Sequence, residues 1–283
     1  MSKSEHDRAG IGRREMITGA VTYGMLAAAF GARPAPGFAA NASAQGTTCL
    51  TILYAAGPGL HFDPDYYRDH HLVTIMKLYG STISRFELRT VNAPPAPAGG
   101  GVRGPRPQTP PAGAAAPPHY AAAINIWIAD LDAFNANNQK HGATLVADVP
   151  HFTNAMATIQ YDKQHGQMGA ARSAIKVGDT CLTILYPNSE GVRWDVEYYR
   201  THHMPLIMRL YGPEAIKRFE LRKGDTSQNG GKPPYIGSVN IYINEQKAFD
   251  AAGKAHGEEL VKDVPHFSSV QPLAFPTTVY GIG

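Results

Sequence analysis

The chain has 283 residues, 43% hydrophobic and 17% charged, with a net charge of +3. That composition suits a globular protein with a packed core and excludes a charge-driven disordered chain. Residues 1–44 carry five basic and three acidic groups, and the remainder holds 21 basic and 20 acidic groups, so the body has no electrostatic footprint for nucleic acid.

The chain opens on an export-type leader. Arg13-Arg14 precedes Glu15-Met16-Ile17-Thr18, a modestly apolar stretch runs from Met16 to Phe30, and Pro and Ala residues lead to Ala42-Ser43-Ala44. An arginine pair ahead of a Gly- and Ala-containing apolar stretch, closed by a small-residue cleavage site, is laid out like a twin-arginine signal. Residues 1–44 are expected to be such a signal peptide, cut after Ala44, and the protein to be exported to the periplasm. An ordinary secretory signal or an uncleaved anchor is the plainer alternative. The apolar stretch of 15 residues falls short of the roughly 20 that a spanning helix needs, so no membrane span is expected in the mature chain. The two cysteines, Cys49 and Cys181, would meet an oxidising compartment that permits a disulfide. Their equivalent places at the start of two strands suit two buried copies of one residue better.

The rest of the chain is an internal repeat. Cys49-Leu-Thr-Ile-Leu-Tyr54 returns as Cys181-Leu-Thr-Ile-Leu-Tyr186, Arg85-Phe-Glu-Leu-Arg89 as Arg218-Phe-Glu-Leu-Arg222, and Asp148-Val-Pro-His-Phe152 as Asp263-Val-Pro-His-Phe267. The apolar runs 48–55 and 180–187 read as first strands. Asp63 and Asp195 stand where helix N-caps belong, with Tyr66, Tyr67, His70 and His71 at helical spacing behind the first of them, and Gly80 and Gly212 end these helices. The Phe-Glu-Leu-Arg segments alternate as second strands. Third strands are expected near 120–129 and 235–243, second helices over 131–147 and 246–262, and last strands near 156–162 and 275–281. Between the second and third strands, the loop 92–119 of the first copy is nearly all Pro, Gly and Ala and cannot build a core. The segment 164–179 reads as a linker, which leaves modules at 48–163 and 180–283.

Each copy is therefore βαββαβ, the ferredoxin-like order. The expected fold class is α+β, with two ferredoxin-like βαββαβ modules forming an intramolecular dimeric α/β barrel. One such module leaves a sheet face uncovered, and two bury those faces against each other. The pair forms a pseudo-dimer within one chain, with further oligomerisation left open.

At Tyr186-Pro-Asn-Ser-Glu-Gly191, Trp194-Asp195, Tyr198-Tyr199, His203-Met-Pro-Leu206, Pro233-Pro-Tyr235 and Asp263-Val-Pro265, the second copy resembles an EthD domain of the dimeric α+β barrel superfamily. The first copy matches less closely over the same length. The resemblance implies a pocket between sheet and helices in each copy, a small and largely apolar organic ligand, and a family commonly labelled oxidoreductase. The fold alone does not decide the reaction. The family's histidine falls at His71 and His203. His70 and His202, His151 and His266, and His141 and His256 stand where the family usually has other residues.

In all, eight of the 12 histidines fall at four duplicated positions. His71 follows Tyr67, and His203 follows Tyr199, at a spacing that shares one helix face. Such a Tyr–His pair can orient a carbonyl or move a proton near neutral pH, so these four are the candidate catalytic residues. The plainer alternative is a core histidine satisfied by the backbone. His151 and His266 lie in what reads as a loop entering the last strand, and Asp148 and Asp263 could orient a histidine beside them; these four are the candidate ligand-binding residues. A divalent metal held among His70, His71, His141, His151, His202, His203, His256 and His266 is a further alternative, although the spacing matches no fixed metal motif. No cofactor is obligatory. Gly99-Gly-Gly101 sits in a Pro-rich loop rather than between a strand and a helix, so no nucleotide-binding motif is present. Three readings stay open: a histidine acid–base enzyme, a metal-dependent enzyme, and a non-catalytic small-molecule or metal binder.

Overall fold

The computed structural model describes residues 46–91 and 119–283. The leader with its Ala44 cleavage point, and the 92–119 loop apart from His119, lie outside the described residues. The strands are β1 (Thr48–Ala55), β2 (Ile83–Val91), β3 (Tyr120–Ile128), β4 (Ala157–Gly169), β5 (Thr180–Pro187), β6 (Ile216–Ser227), β7 (Tyr235–Ile243) and β8 (Leu273–Ile282). Helix α1 runs through Pro64–Tyr66, Tyr67–His71 and Leu72–Tyr79, and its counterpart α3 through Val196–Tyr198, Tyr199–His203 and Met204–Ala215. Helices α2 (Leu131–Asp148) and α4 (Gln246–Phe267) complete the mixed α+β fold. Part of the expected linker is strand: β4 extends to Gly169, and its far end pairs with β6. Among the described residues, no helix is long and apolar enough to cross a membrane.

All eight strands close into one antiparallel barrel in the order β1-β3-β2-β8-β5-β7-β6-β4. The first four strands are contiguous as β4-β1-β3-β2 and the last four as β8-β5-β7-β6, joined at β2–β8 and β4–β6. Closure leaves no strand edge unpaired. Successive side chains point to opposite faces. Leu50, Ile52 and Tyr54 of β1, Leu88 of β2 and Ile124 and Ile126 of β3 therefore pack outward beneath α1 and α2. Phe219 and Leu221 of β6, with Val239 and Ile241 of β7, do the same beneath α3 and α4.

The inward face of the barrel is polar. Glu87, Arg89, Asn125, Asp162, Glu220, Arg222 and Asn240 are all at most 1% exposed. Their contacts reach across the interior: Tyr242 donates to Glu87 at 2.7 Å, and Arg85 lies 3.6 Å from Glu220 and stacks over Trp127. Arg172, from the turn between β4 and β5, caps this charged end by reaching Glu87. The opposite end is closed by Leu53, Leu185 and the touching hydroxyls of Tyr120 and Tyr235. Cys49 and Cys181 are buried free thiols, and burial pushes each up to about 12. The two are not joined.

Candidate functional site

The site is built on the first turns of α1 and α3. Asp63 accepts from the backbone N–H groups of Asp65 and Tyr66, and Asp195 from those of Glu197 and Tyr198, so each aspartate caps its helix. The next five residues, Tyr67–His71 and Tyr199–His203, form a π-helical turn: Leu72 donates to the Tyr67 carbonyl, and Met204 to that of Tyr199. A π turn fits one extra residue into the helix, and such turns recur at functional sites. Here the doubled Tyr-Tyr and His-His are dealt to two sides. Tyr67 and His71 turn inward and are buried, while Tyr66 and His70 turn outward. The rings within each pair stay close, 5.0 Å apart for Tyr67–His71 and 4.7 Å for Tyr66–His70.

Tyr67 and His71 face a pocket between the sheet and the helices of the first half. It is a narrow pocket open at its mouth, and its walls include Ile52, Tyr54, Ile75 and Phe134. The polar groups it offers are the imidazole and the phenols of an otherwise aliphatic and aromatic wall. The Tyr67 hydroxyl is buried beside that of Tyr54. Burial, and then neighbouring Tyr54, push its ionisation well above the ordinary range, so it is a standing donor. In the second half the equivalent positions repeat the same side chains, except that Pro272 stands for Ala157 and Ala274 for Ile159.

The two histidines are held alike. His71 Nδ1 lies 2.7 Å from Asp148 Oδ2, and His203 Nδ1 lies 2.7 Å from Asp263 Oδ2. Burial lowers the pKa of each imidazole, and the carboxylate only partly offsets it. Burial also works to raise each aspartate, but the hydrogen bonds from histidine and tyrosine outweigh it and hold both carboxyls below the usual value. At neutral pH the pair is thus a neutral imidazole donating from Nδ1 to a carboxylate. That leaves the Nε2 lone pair of the pocket-lining ring as a proton acceptor.

A second layer lies outside. Tyr66 donates to Asp148 Oδ1 at 2.9 Å, as Tyr198 does to Asp263 Oδ1. Rings of His70 and His151 flank Tyr66, and those of His202 and His266 flank Tyr198. His151 and His266 are not in loops. They end the second helices, His151 in a 3-10 turn after α2 and His266 in the last turn of α4. Their side chains are 63% and 62% exposed, with Nδ1 at 3.4 and 3.2 Å from the aspartate Oδ1. His141 and His256 sit seven residues before the aspartates, about 10 Å back along the same helices, and do not join the cluster. Among the described residues, no three His, Cys, Asp or Glu side chains converge as ligands for a metal ion. Tyr66 and Tyr198 were not among the site residues expected from the sequence. Their signal is the spacing Tyr66–His70, the same four-residue step as Tyr67–His71.

No family profile matches the chain, and no curated protein matches it. Solved structures do. An anthrone oxidase-like protein is 11% identical, covering 86% of this chain and 95% of its own, with a TM-score of 0.43. A mutant chlorite dismutase from Candidatus Nitrospira defluvii is 10% identical, covering 84% and 93%, with a TM-score of 0.44. An EthD-like protein from Ralstonia eutropha JMP134 is 26% identical over 36% of this chain and 91% of its own, with a TM-score of 0.34. The resemblance to EthD-like proteins is found in the residue strings and again in this last match.

Proposed function

We propose that the chain is an exported enzyme in which the Nε2 atoms of His71 and His203 act as general bases, and then as general acids, on a small, largely apolar molecule. The carrying observation is the buried Nδ1–carboxylate bond of 2.7 Å, repeated in both halves. It fixes the tautomer that leaves Nε2 free, in an apolar wall where the buried Tyr67 and Tyr199 phenols stay protonated and can steady a ligand carbonyl. Proton abstraction at one ligand carbon and its return at another atom of the same ligand, an isomerase-type step, needs no further group; in a lyase-type step the returned proton goes to the leaving group as its bond to the ligand breaks. An oxidation would need an oxidant supplied with the ligand. The contiguous strand orders β4-β1-β3-β2 and β8-β5-β7-β6 support a reading of two ferredoxin-like modules closed on each other as a pseudo-dimer. The leader supports delivery to the periplasm with a mature chain starting at Gln45, which the mass of the exported protein checks.

The test is a chain with His71→Gln and His203→Gln together, assayed on apolar carbonyl compounds for uptake of deuterium from heavy water. Loss of exchange by roughly 10²–10⁴-fold with ligand binding retained is expected. Undiminished exchange refutes the assignment.

A further inference from the structure

With a ligand filling the pocket, a proton taken up by His71 has no direct way out, because the ring is 3% exposed and its Nδ1 is engaged by Asp148. We infer that His151 and His266 are the proton outlets of the two buried histidines, each reached through the aspartate that the buried and exposed imidazoles share. This rests on the reading of His71 and His203 as acid–base groups. Asp148 is met by three side chains: His71 on Oδ2 at 2.7 Å, Tyr66 on Oδ1 at 2.9 Å, and His151 at 3.4 Å from Oδ1 and 3.1 Å from the backbone carbonyl. The other half repeats this with His203 at 2.7 Å, Tyr198 at 2.9 Å, and His266 at 3.2 Å from Oδ1 and from the carbonyl. The exposed histidine stacks on the Tyr66 ring, which also contacts His70. Some exposed positions nearby differ between the copies: Asp69 answers to Thr201, and His61 to Arg193. The exposed histidines are kept.

The steps balance. His71 Nε2 takes the ligand's proton and becomes an imidazolium. Its Nδ1 proton passes to Asp148, and the neutral carboxyl turns about its Cβ–Cγ bond to hand that proton to His151 Nδ1. At rest His151 donates its Nδ1 proton to the Asp148 carbonyl; water carries that proton round to Nε2, the bared Nδ1 accepts from the turned carboxyl, and the Nε2 proton is released to water. In the acid step the same path runs backwards: solvent reprotonates Nδ1 of His71 while Nε2 gives its proton to the product. His151 never touches the ligand and acts through Asp148 as a positioning and transfer group.

The experiment needs no ligand, only the whole chain with ring-labelled histidine in water, read by NMR as the exchange rate of each Nδ1 proton with solvent. In His151→Gln, exchange at His71 should slow by about tenfold or more, with the Nδ1 shift unmoved and His203 in the same molecule unaffected. His266→Gln should do the reverse, and free imidazole in the buffer should restore the lost rate. An unchanged rate at His71, or an equal change at both histidines, overturns the outlet. The acid–base reading fails separately if the resting ring of His71 carries its proton on Nε2.

Discussion

His71 and His203 are neutral imidazoles kept so by burial against the pull of a carboxylate, and the sign of that contest sets a pH dependence. A histidine whose pKa is lower folded than unfolded binds fewer protons in the native state. Its contribution is complete above the ordinary histidine value of about 6.5 and is lost as pH falls through the lowered folded value. Melting temperature should therefore fall between pH 7 and 5, and the doubly substituted His71→Gln, His203→Gln chain should show a flatter slope. An identical slope would mean that neither ring is the titrating group. At this scale much of the site was legible. A four-residue step puts Tyr67 and His71 on one face, and they lie side by side. The sequence offers Asp148 as a group that could orient a histidine. Only the folded chain brings it across 77 residues onto His71.

The π-helical turns at Tyr67–His71 and Tyr199–His203 were not legible, because over five residues a π period and an α period bury nearly the same positions. The strands and helices around them declare themselves through caps, glycines and alternation. Gly212, at φ 73°, ends the regular part of α3 where the sequence expects a stop. Size compensation between the copies was equally hidden. A Cβ on Gly237 would sit 2.3 Å from the Trp194 ring, whereas the equivalent pair in the first half is Ala122 with the smaller Phe62. Gly237→Ala should cost about 1–3 kcal/mol by overpacking. Adding Trp194→Phe should recover most of that loss, as read from denaturant midpoints in a double-mutant cycle. Additive losses would show that the two positions are not packed on each other.

For the molecule as a whole, the barrel interior is where the sequence misleads. Arg-x-Glu-x-Arg on alternate positions of a strand looks like a solvent-facing stripe, and nothing local distinguishes it from one. Here it lines a closed interior, where Glu220 is fully buried and meets Arg218 at 2.8 Å, Arg85 at 3.6 Å, Arg222 at 3.7 Å and Arg172 at 3.9 Å. Removing one member of a buried ionic set strands the others, so Glu220→Gln should lose roughly 3–5 kcal/mol of stability. The same change at exposed Glu258, paired with Lys262 on α4, should leave the denaturant midpoint nearly unmoved. Equal small losses would place the arginines in contact with water instead.

The functional reading turns on one property of the two buried rings, which is the nitrogen that carries the proton. Ring ¹⁵N shifts of His71 and His203, followed across pH in the intact protein, measure this directly. The expected result is an Nδ1-protonated neutral ring in both halves at pH 7, titrating below the ordinary histidine value. A ring protonated on Nε2, or one already cationic at pH 7, would contradict the acid–base assignment.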